Sequence, residues 1–165
     1  MSLLLTRVKL SRWIRPNPAP WLPEDDVPAD CLADLACSEC RLSVWAVDTE
    51  RSNLERVVAA VSSTRENLQN FDYALIARAD VEQVGLSIRQ CPGKTADREA
   101  DDTLHWDLVE LSGAKLLELA RAIFFRARQD RFLPKHIEGF VRRGVAEGKL
   151  AVGLLNPTLR TRLGL

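Results

Sequence analysis

The residues best suited to acid–base or metal chemistry surround His105. Asp107 follows two positions later, and four further acids precede it: Asp97, Glu99, Asp101 and Asp102. On a strand, His105 and Asp107 would share a face, whereas on a helix residues two apart point in different directions. Carboxylate oxygens can gather a divalent cation. One hypothesis is therefore a metal-dependent hydrolase or nuclease that uses His105, Asp107 and the acidic loop.

The cysteines form a second group of reactive side chains. Cys37 and Cys40 make a C-x-x-C pair, while Cys31 and Cys91 stand apart. A structural zinc site needs another close pair of cysteines or histidines, and the two histidines are isolated. A redox C-x-x-C opens a helix after a strand, but this pair is expected to follow a helix. We therefore expect free thiols and no cofactor or metal, with zinc binding by these four cysteines left open.

Other catalytic motifs are weak or missing. Ser112 and Lys115 match S-x-x-K, but the accompanying motifs of that chemistry are absent, and Ser112 is expected to cap a helix. No glycine-rich phosphate loop occurs. An enzyme is therefore the less favoured class.

The elements that would position these residues predict an α+β fold. Residues 3–10, 41–48, 72–78 and 86–91 have strand patterns. A helix over 53–63 joins the second and third of these strands, which predicts a βαβ unit with parallel strands. The expectation is a small mixed sheet of about four strands with a βαβ unit, packed by helices, and a helical C-terminal third.

The stretch from Thr103 is ambiguous. Leu104, Leu108 and Leu111 have helical spacing, and the preceding polar residues can cap a helix, so a helix is preferred; a strand over 104–109 remains an alternative. Further helices are expected after Ser112 and from Pro134. The chain is interpreted as one domain, 1–165. Its sheet-containing part (1–92) carries a proline-rich arm (12–28), an acidic loop (93–103) follows, and the helical part is 104–165.

The charges are unevenly distributed although the net charge is zero. Residues 1–15 carry four basic residues and no acid, and residues 113–165 carry 11 basic and 4 acidic residues. A basic surface is typical of phosphate contacts. The alternative of a nucleic-acid-binding protein therefore uses the basic residues of the C-terminal helices: Arg126, Arg128, Arg131, Lys135, Arg142 and Arg143.

Apolar groups near both ends of the chain favour partner binding. Tryptophans of the proline-rich arm bury large areas when they dock, and extended segments fill grooves on other chains. The residues expected to bind a partner are Trp13, Trp21, Leu22, Leu154 and Leu155. The leading hypothesis is a non-enzymatic interaction subunit or accessory factor of a larger bacterial complex. Its partners would be other protein chains, including copies of itself.

Composition sets the remaining expectations. Hydrophobic residues make up 46% of the chain, typical of a folded domain, and no apolar run is long enough to span a bilayer. The N-terminus does not have the pattern of a signal peptide. Arginine greatly outnumbers lysine, which suggests a GC-rich bacterial genome. A cytoplasmic protein is expected.

Overall fold

The computed structural model describes residues 2–14, 23, 26–35 and 37–165. These residues form one sheet with helices on both faces. The strands are β1 (Ser2–Arg7), β2 (Leu42–Asp48), β3 (Phe71–Ala77), β4 (Ser87–Gln90), β5 (His105–Val109) and β6 (Arg128–Phe132). The helices are α1 (Leu10–Trp13), α2 (Ala29–Leu32), α3 (Leu54–Ser62), α4 (Arg78–Gln83), α5 (Arg98–Thr103), α6 (Gly113–Arg126), α7 (Pro134–Ala146) and α8 (Pro157–Leu163), with a 3-10 turn at Val152–Leu154.

The sheet order is β4-β5-β2-β1-β3-β6, and every neighbouring pair is antiparallel. The α+β class is confirmed, but the described residues contain six strands rather than about four, and the sheet is not mixed. The predicted βαβ pairing is also wrong. Strands β2 and β3 do run parallel, but β1 lies between them and pairs with both.

The central strands are apolar on both faces because helices cover both sides. Leu5 and Trp45 belong to the core beneath α3, α7 and α8. Leu4 and Val44, their chain neighbours, belong to the core beneath α6. Successive strand side chains point to opposite faces, so a strand covered on both sides needs apolar residues at nearly every position. This requirement explains why the apolar β1 lies at the centre.

The C-terminal third contributes two strands to the sheet. Residues His105–Val109 form β5, so the preferred helix over this stretch is wrong and the alternative strand is right. The acidic segment holds the short helix instead, since the Asp97 side chain accepts a hydrogen bond from the Ala100 amide at the start of α5. That helix ends at Thr103, and β5 begins at His105 with four of its five residues buried.

The tail after α7 folds back onto the body. Leu150, Leu159 and Leu163 are buried in the core formed with Ile137 and Val141. Within the part of the chain that the structure describes, no helix is both long and apolar enough to cross a membrane.

Candidate functional site

Strand β5 places His105 and Asp107 on one face of the sheet. Its register with β2 sets Trp45 opposite His105 and Ser43 opposite Asp107. Trp45 packs edge-on against the imidazole, with 4.9 Å between ring centroids. Trp45 belongs to the core beneath α3 and α7, so His105 and Asp107 lie on the face of the sheet that these helices cover. The polar pair therefore lies where the core of this face gives way to a cleft.

Cys91 joins the pair from the neighbouring strand. It directly follows β4, whose Gln90 pairs with Trp106, so Cys91 stands across from His105. Its amide donates to the His105 carbonyl at 3.4 Å. The Cys91 sulfur, a ring nitrogen of His105 and a carboxylate oxygen of Asp107 all lie within 4.8 Å of one another. Three chemically different donors thus converge at one point.

A backbone contact fixes the tautomer of His105. Its Nδ1 lies 2.5 Å from the Cys91 carbonyl oxygen. A carbonyl can only accept, so Nδ1 is the donor, and in the neutral imidazole Nε2 is then the nitrogen with the lone pair. Histidines that bind metals in proteins usually donate their other ring N–H to a carboxylate or a carbonyl in this way. The side chain is buried, so its orientation is held.

Asp107 is a buried carboxylate with few partners. It accepts a hydrogen bond from the Ser43 hydroxyl at 3.1 Å, and the Arg41 guanidinium reaches only to 3.9 Å. The Cys91 thiol lies beside it. A hydrogen bond to Asp107 raises the pKa of the Cys91 thiol, and partial burial and the negative charge of Asp107 add to the effect. Without a cation Cys91 is therefore a protonated thiol, unlike an activated cysteine nucleophile.

An open cleft of about 550 Å³ gives access to the three donors. Asp107 is the acidic residue in its wall, and the basic residues are Arg41, Arg65 and Lys94. Residues near the end of α3 and the segment 92–95 also line the cleft. The cleft therefore combines a metal-type donor set with a positively charged rim.

The acidic segment supports this cleft but supplies no donor to it. Asp101 accepts hydrogen bonds from the Thr95 amide at 2.7 Å and its hydroxyl at 2.8 Å, and the Gly93 amide donates to the Asp101 carbonyl. A side chain at position 93 would collide with the Asp101 carboxylate. Asp101 thus holds the segment that forms one wall.

The other acids of the segment also have structural partners or face solvent. Arg56 binds Asp97 with two hydrogen bonds of 2.6 and 2.8 Å and reaches Glu99 at 2.9 Å. Burial by itself would raise the pKa of Asp97, but the bonds from Arg56 and the Ala100 amide outweigh it and hold that pKa below its usual value. Asp102 is exposed. The expected gathering of these carboxylates around His105 is wrong.

Sequence reasoning missed Cys91 as a member of the site. The signal was present, because strand patterns at 86–91 and 104–109 together predict an antiparallel pair with Cys91 across from His105. The C-x-x-C cysteines, Cys37 and Cys40, are exposed, and Cys31 is buried in the core. Among the described residues, one set of three histidine, cysteine or acidic side chains is close enough to share a metal ion. It consists of Cys91, His105 and Asp107.

The residues expected to bind a partner are dispersed. Trp13 is buried, with its indole N–H bonded to Asp34 at 2.8 Å, and Leu155 is part of the core. Neither side chain presents a surface to another protein. Leu154 is 43% exposed. Trp21 and Leu22 lie outside the described residues.

Most of the basic residues proposed for nucleic acid have acidic partners within the chain. Arg131 binds Asp72, Arg143 binds Glu55, and the others pair with acids on their own or neighbouring elements: Arg126 with Asp80, Arg128 with Asp130 and Arg142 with Glu138. Lys135 is exposed. Nucleic-acid binding by these residues stays a prediction, and much of their charge is balanced locally.

Comparison of the chain with protein-family models, curated proteins and solved structures finds no match to any of them. Function is therefore argued from the site alone.

Proposed function

We propose that this protein binds zinc, or a similar divalent transition metal, through Cys91, His105 and Asp107, and that it is a metal-dependent hydrolase. The observation that carries the proposal is the convergence of three donors within 4.8 Å on the wall of an open cleft. The negative charge of Asp107 disfavours ionisation of the neighbouring Cys91 thiol. A cation between them would attract both negative groups and offset this repulsion. The metal-dependent alternative considered from the sequence is thus retained, with Cys91 in place of the acidic loop.

The donor set favours zinc over magnesium or calcium. Magnesium and calcium prefer oxygen ligands, whereas a thiolate with an imidazole suits zinc and its neighbours in the periodic table. Zinc binds sulfur at about 2.3 Å and nitrogen at about 2.0 Å. Donors already within 4.8 Å of one another need only small side-chain shifts to meet that geometry.

Three protein ligands beside a cleft are typical of a catalytic metal site. Structural zinc sites are closed by four protein ligands, whereas catalytic sites leave a position for water. A metal held by Cys91, His105 and Asp107 would supply a water of lowered pKa and a positive charge that polarises a carbonyl or phosphoryl oxygen, which is the chemistry that hydrolysis needs. Arg41, Arg65 and Lys94 would stabilise negative charge that develops in the cleft.

Metal titration tests the site. We expect purified, chelator-treated protein to bind one cobalt(II) ion with an absorption band of sulfur-to-metal charge transfer. Cys91→Ser should abolish the band and His105→Gln should weaken binding. Cys40→Ser is the matched control, because Cys40 is an exposed free cysteine that is not among the residues lining the cleft. A band that persists in Cys91→Ser and disappears in Cys40→Ser would contradict the proposed ligands.

Hydrolysis is tested separately. The zinc-loaded protein is assayed against chromogenic carboxylate esters, phosphate monoesters and phosphate diesters. We expect turnover of at least one class that is lost with a chelator and in Cys91→Ser but retained in Cys40→Ser. Stoichiometric metal binding without any such turnover would reject the hydrolase while leaving the metal site standing.

The interaction subunit inferred from the sequence is a second candidate. It is favoured by exposed large apolar side chains, which include Phe125 at 52% and Leu154 at 43% exposure. Light scattering over a range of concentrations tests self-association, the form of the hypothesis that needs no unidentified partner. A mass that rises with concentration in the wild type and not in Phe125→Ser would favour it, and a constant monomer would count against it.

A further inference from the structure

A second cavity, of about 240 Å³, lies between the end of β1 and the segment that joins α3 to β3. The guanidinium groups of Arg7 and Arg65 line it. Leu68 and Phe71 are its apolar wall residues, Glu66 is its acidic one, and the remaining lining residues are uncharged and polar: Ser62, Asn67, Gln69 and Asn70. The cavity thus brings together two cations and several hydrogen-bond donors.

Arg7 is incompletely satisfied in this position. Its guanidinium lies over the Phe71 ring, 4.3 Å from the centroid, and its Nε is buried without a hydrogen-bond partner. A buried polar group that lacks a partner loses its hydration without compensation. Among the described residues, the Arg65 side chain also makes no hydrogen bond or ion pair. Two like charges therefore line the same space; the Nε of Arg7 is buried without a partner, and Arg65 is exposed with no protein partner for its side chain.

The nearby acids do not neutralise this pair. Arg131 holds the Asp72 carboxylate with hydrogen bonds of 2.5 and 2.8 Å, and the Leu10 amide adds another of 3.0 Å. Glu66 is exposed at the rim. Burial and then the charge of Arg65 lower the pKa of Arg7, and Asp72 opposes them only in part. An anion in the cavity would lower the free energy of both arginines.

We infer that the cavity is a binding site for a phosphate-type oxyanion, held between Arg7 and Arg65. The planar guanidinium forms paired hydrogen bonds with phosphate oxygens, and two such groups favour a doubly charged anion over chloride or a single carboxylate. The amides of Asn67, Gln69 and Asn70 supply further donors at the cavity wall. The ligand class is free phosphate or the phosphate group of a small molecule.

The oxyanion site is a neighbour of the proposed metal site and shares Arg65 with its cleft. Leu5, Trp45 and His105 form a row across β1, β2 and β5. Arg7 and Asp107 lie two residues further along their strands on the same face, so about two strand spacings, roughly 10 Å, separate those positions. Arg65 lines both cavities. Neither metal ligation nor hydrolysis is required for the anion to bind.

Calorimetric titration of the full-length protein with inorganic phosphate, at an ionic strength held constant with chloride, tests the inference. We expect saturable 1:1 binding of phosphate. Arg65→Gln should weaken this binding at least about tenfold, because it removes one charge-assisted hydrogen bond. Arg89→Gln is the matched control, because it removes the same charge from an exposed strand position. Cys91→Ser should bind phosphate as the wild type does, which separates this site from phosphate on a bound metal.

The variants remain informative if one of them fails to fold. Arg7 is partly buried, so Arg7→Gln can lose structure; Arg65 is exposed and its substitution should not. Absence of saturable phosphate binding in the wild type would overturn the inference. Equal weakening in Arg65→Gln and Arg89→Gln would also overturn it, since it would indicate a general charge effect. Binding lost in Cys91→Ser but kept in Arg65→Gln would assign the phosphate to the metal site instead.

Discussion

The buried carboxylates of this protein differ in what faces them. Asp72 and Asp97 are each held by a guanidinium through two hydrogen bonds. Asp101 accepts two bonds from Thr95. Asp107 faces a thiol and an imidazole, and its nearest cation stands 3.9 Å away. Asp107 therefore differs from the other three in having two potential metal ligands, a thiol and an imidazole, as its neighbours.

The pair of Asp97 and Arg56 gives a prediction for single substitutions. Asp97→Asn should lower the free energy of unfolding by about 3 kcal/mol near pH 7, because it removes one partner of a buried ion pair. The pKa of Asp97 is lowered in the folded state, so its stabilisation is present above its unfolded pKa of about 3.9 and is lost as the pH falls through the folded value. The difference between wild type and Asp97→Asn should therefore shrink below about pH 4.

Urea denaturation at pH 7 and at pH 3 measures both effects. Asp102→Asn is the control, because that carboxylate is exposed on the same helix and should change stability little at either pH. A constant difference between wild type and Asp97→Asn across this pH range would show that the carboxylate charge is not what stabilises the fold.

At the scale of elements, the sequence predicts that Leu154 and Leu155 bind a partner, whereas the tail after α7 packs on the protein itself and buries Leu155. Leucines of the 3-10 turn and of α8 lie in different environments. Leu159 is fully buried, while Leu154 is 43% exposed. The sequence shows that these residues are apolar. It does not show whether they pack within the protein or against another chain.

Two leucine substitutions distinguish these environments. Leu159→Ala should lower the free energy of unfolding by about 3 kcal/mol, because it leaves a cavity in the core. Leu154→Ala should cost less than about 1 kcal/mol, because Leu154 is already 43% exposed and its loss leaves no enclosed cavity. Thermal and denaturant unfolding of both variants measure the contrast. Equal, small effects would mean that α8 is not docked as described.

Some strands of the sheet are predictable from the sequence and others are not. The strands over 41–48 and 72–78 were recognised because their apolar runs are bounded by polar residues. Strand β5 was mistaken for a helix, because leucines at 104, 108 and 111 also have helical spacing. The polar β6, with the sequence RQDRF, was missed because an edge strand needs few apolar residues. Misplacing β5 concealed the site, since only a strand puts His105 and Asp107 on one face.

For the whole molecule, the insertion of β1 between β2 and β3 determines how the two proposed sites relate. Had β2 and β3 paired directly, Arg7 would not lie on the face that carries Ser43 and Asp107. Pairing order depends on contacts between distant residues, which local periodicity does not encode. The charge balance of the chain also depends on distant contacts. The ion pair of Arg143 with Glu55, for example, joins residues 88 positions apart.

Zinc should stabilise the whole fold, because its three proposed ligands meet only in the folded sheet. Cys91 and His105 come from neighbouring strands, with α5 inserted between them in the chain. A ligand that binds only the folded state, at 100 times its dissociation constant, adds about 2.7 kcal/mol to the free energy of unfolding. For a chain of this size that corresponds to a rise in Tm of roughly 5–10 °C. Differential scanning fluorimetry with and without zinc should show this rise in the wild type and in Cys40→Ser but not in Cys91→Ser. The same rise in Cys91→Ser would place the stabilising metal elsewhere and reject the site on β4 and β5.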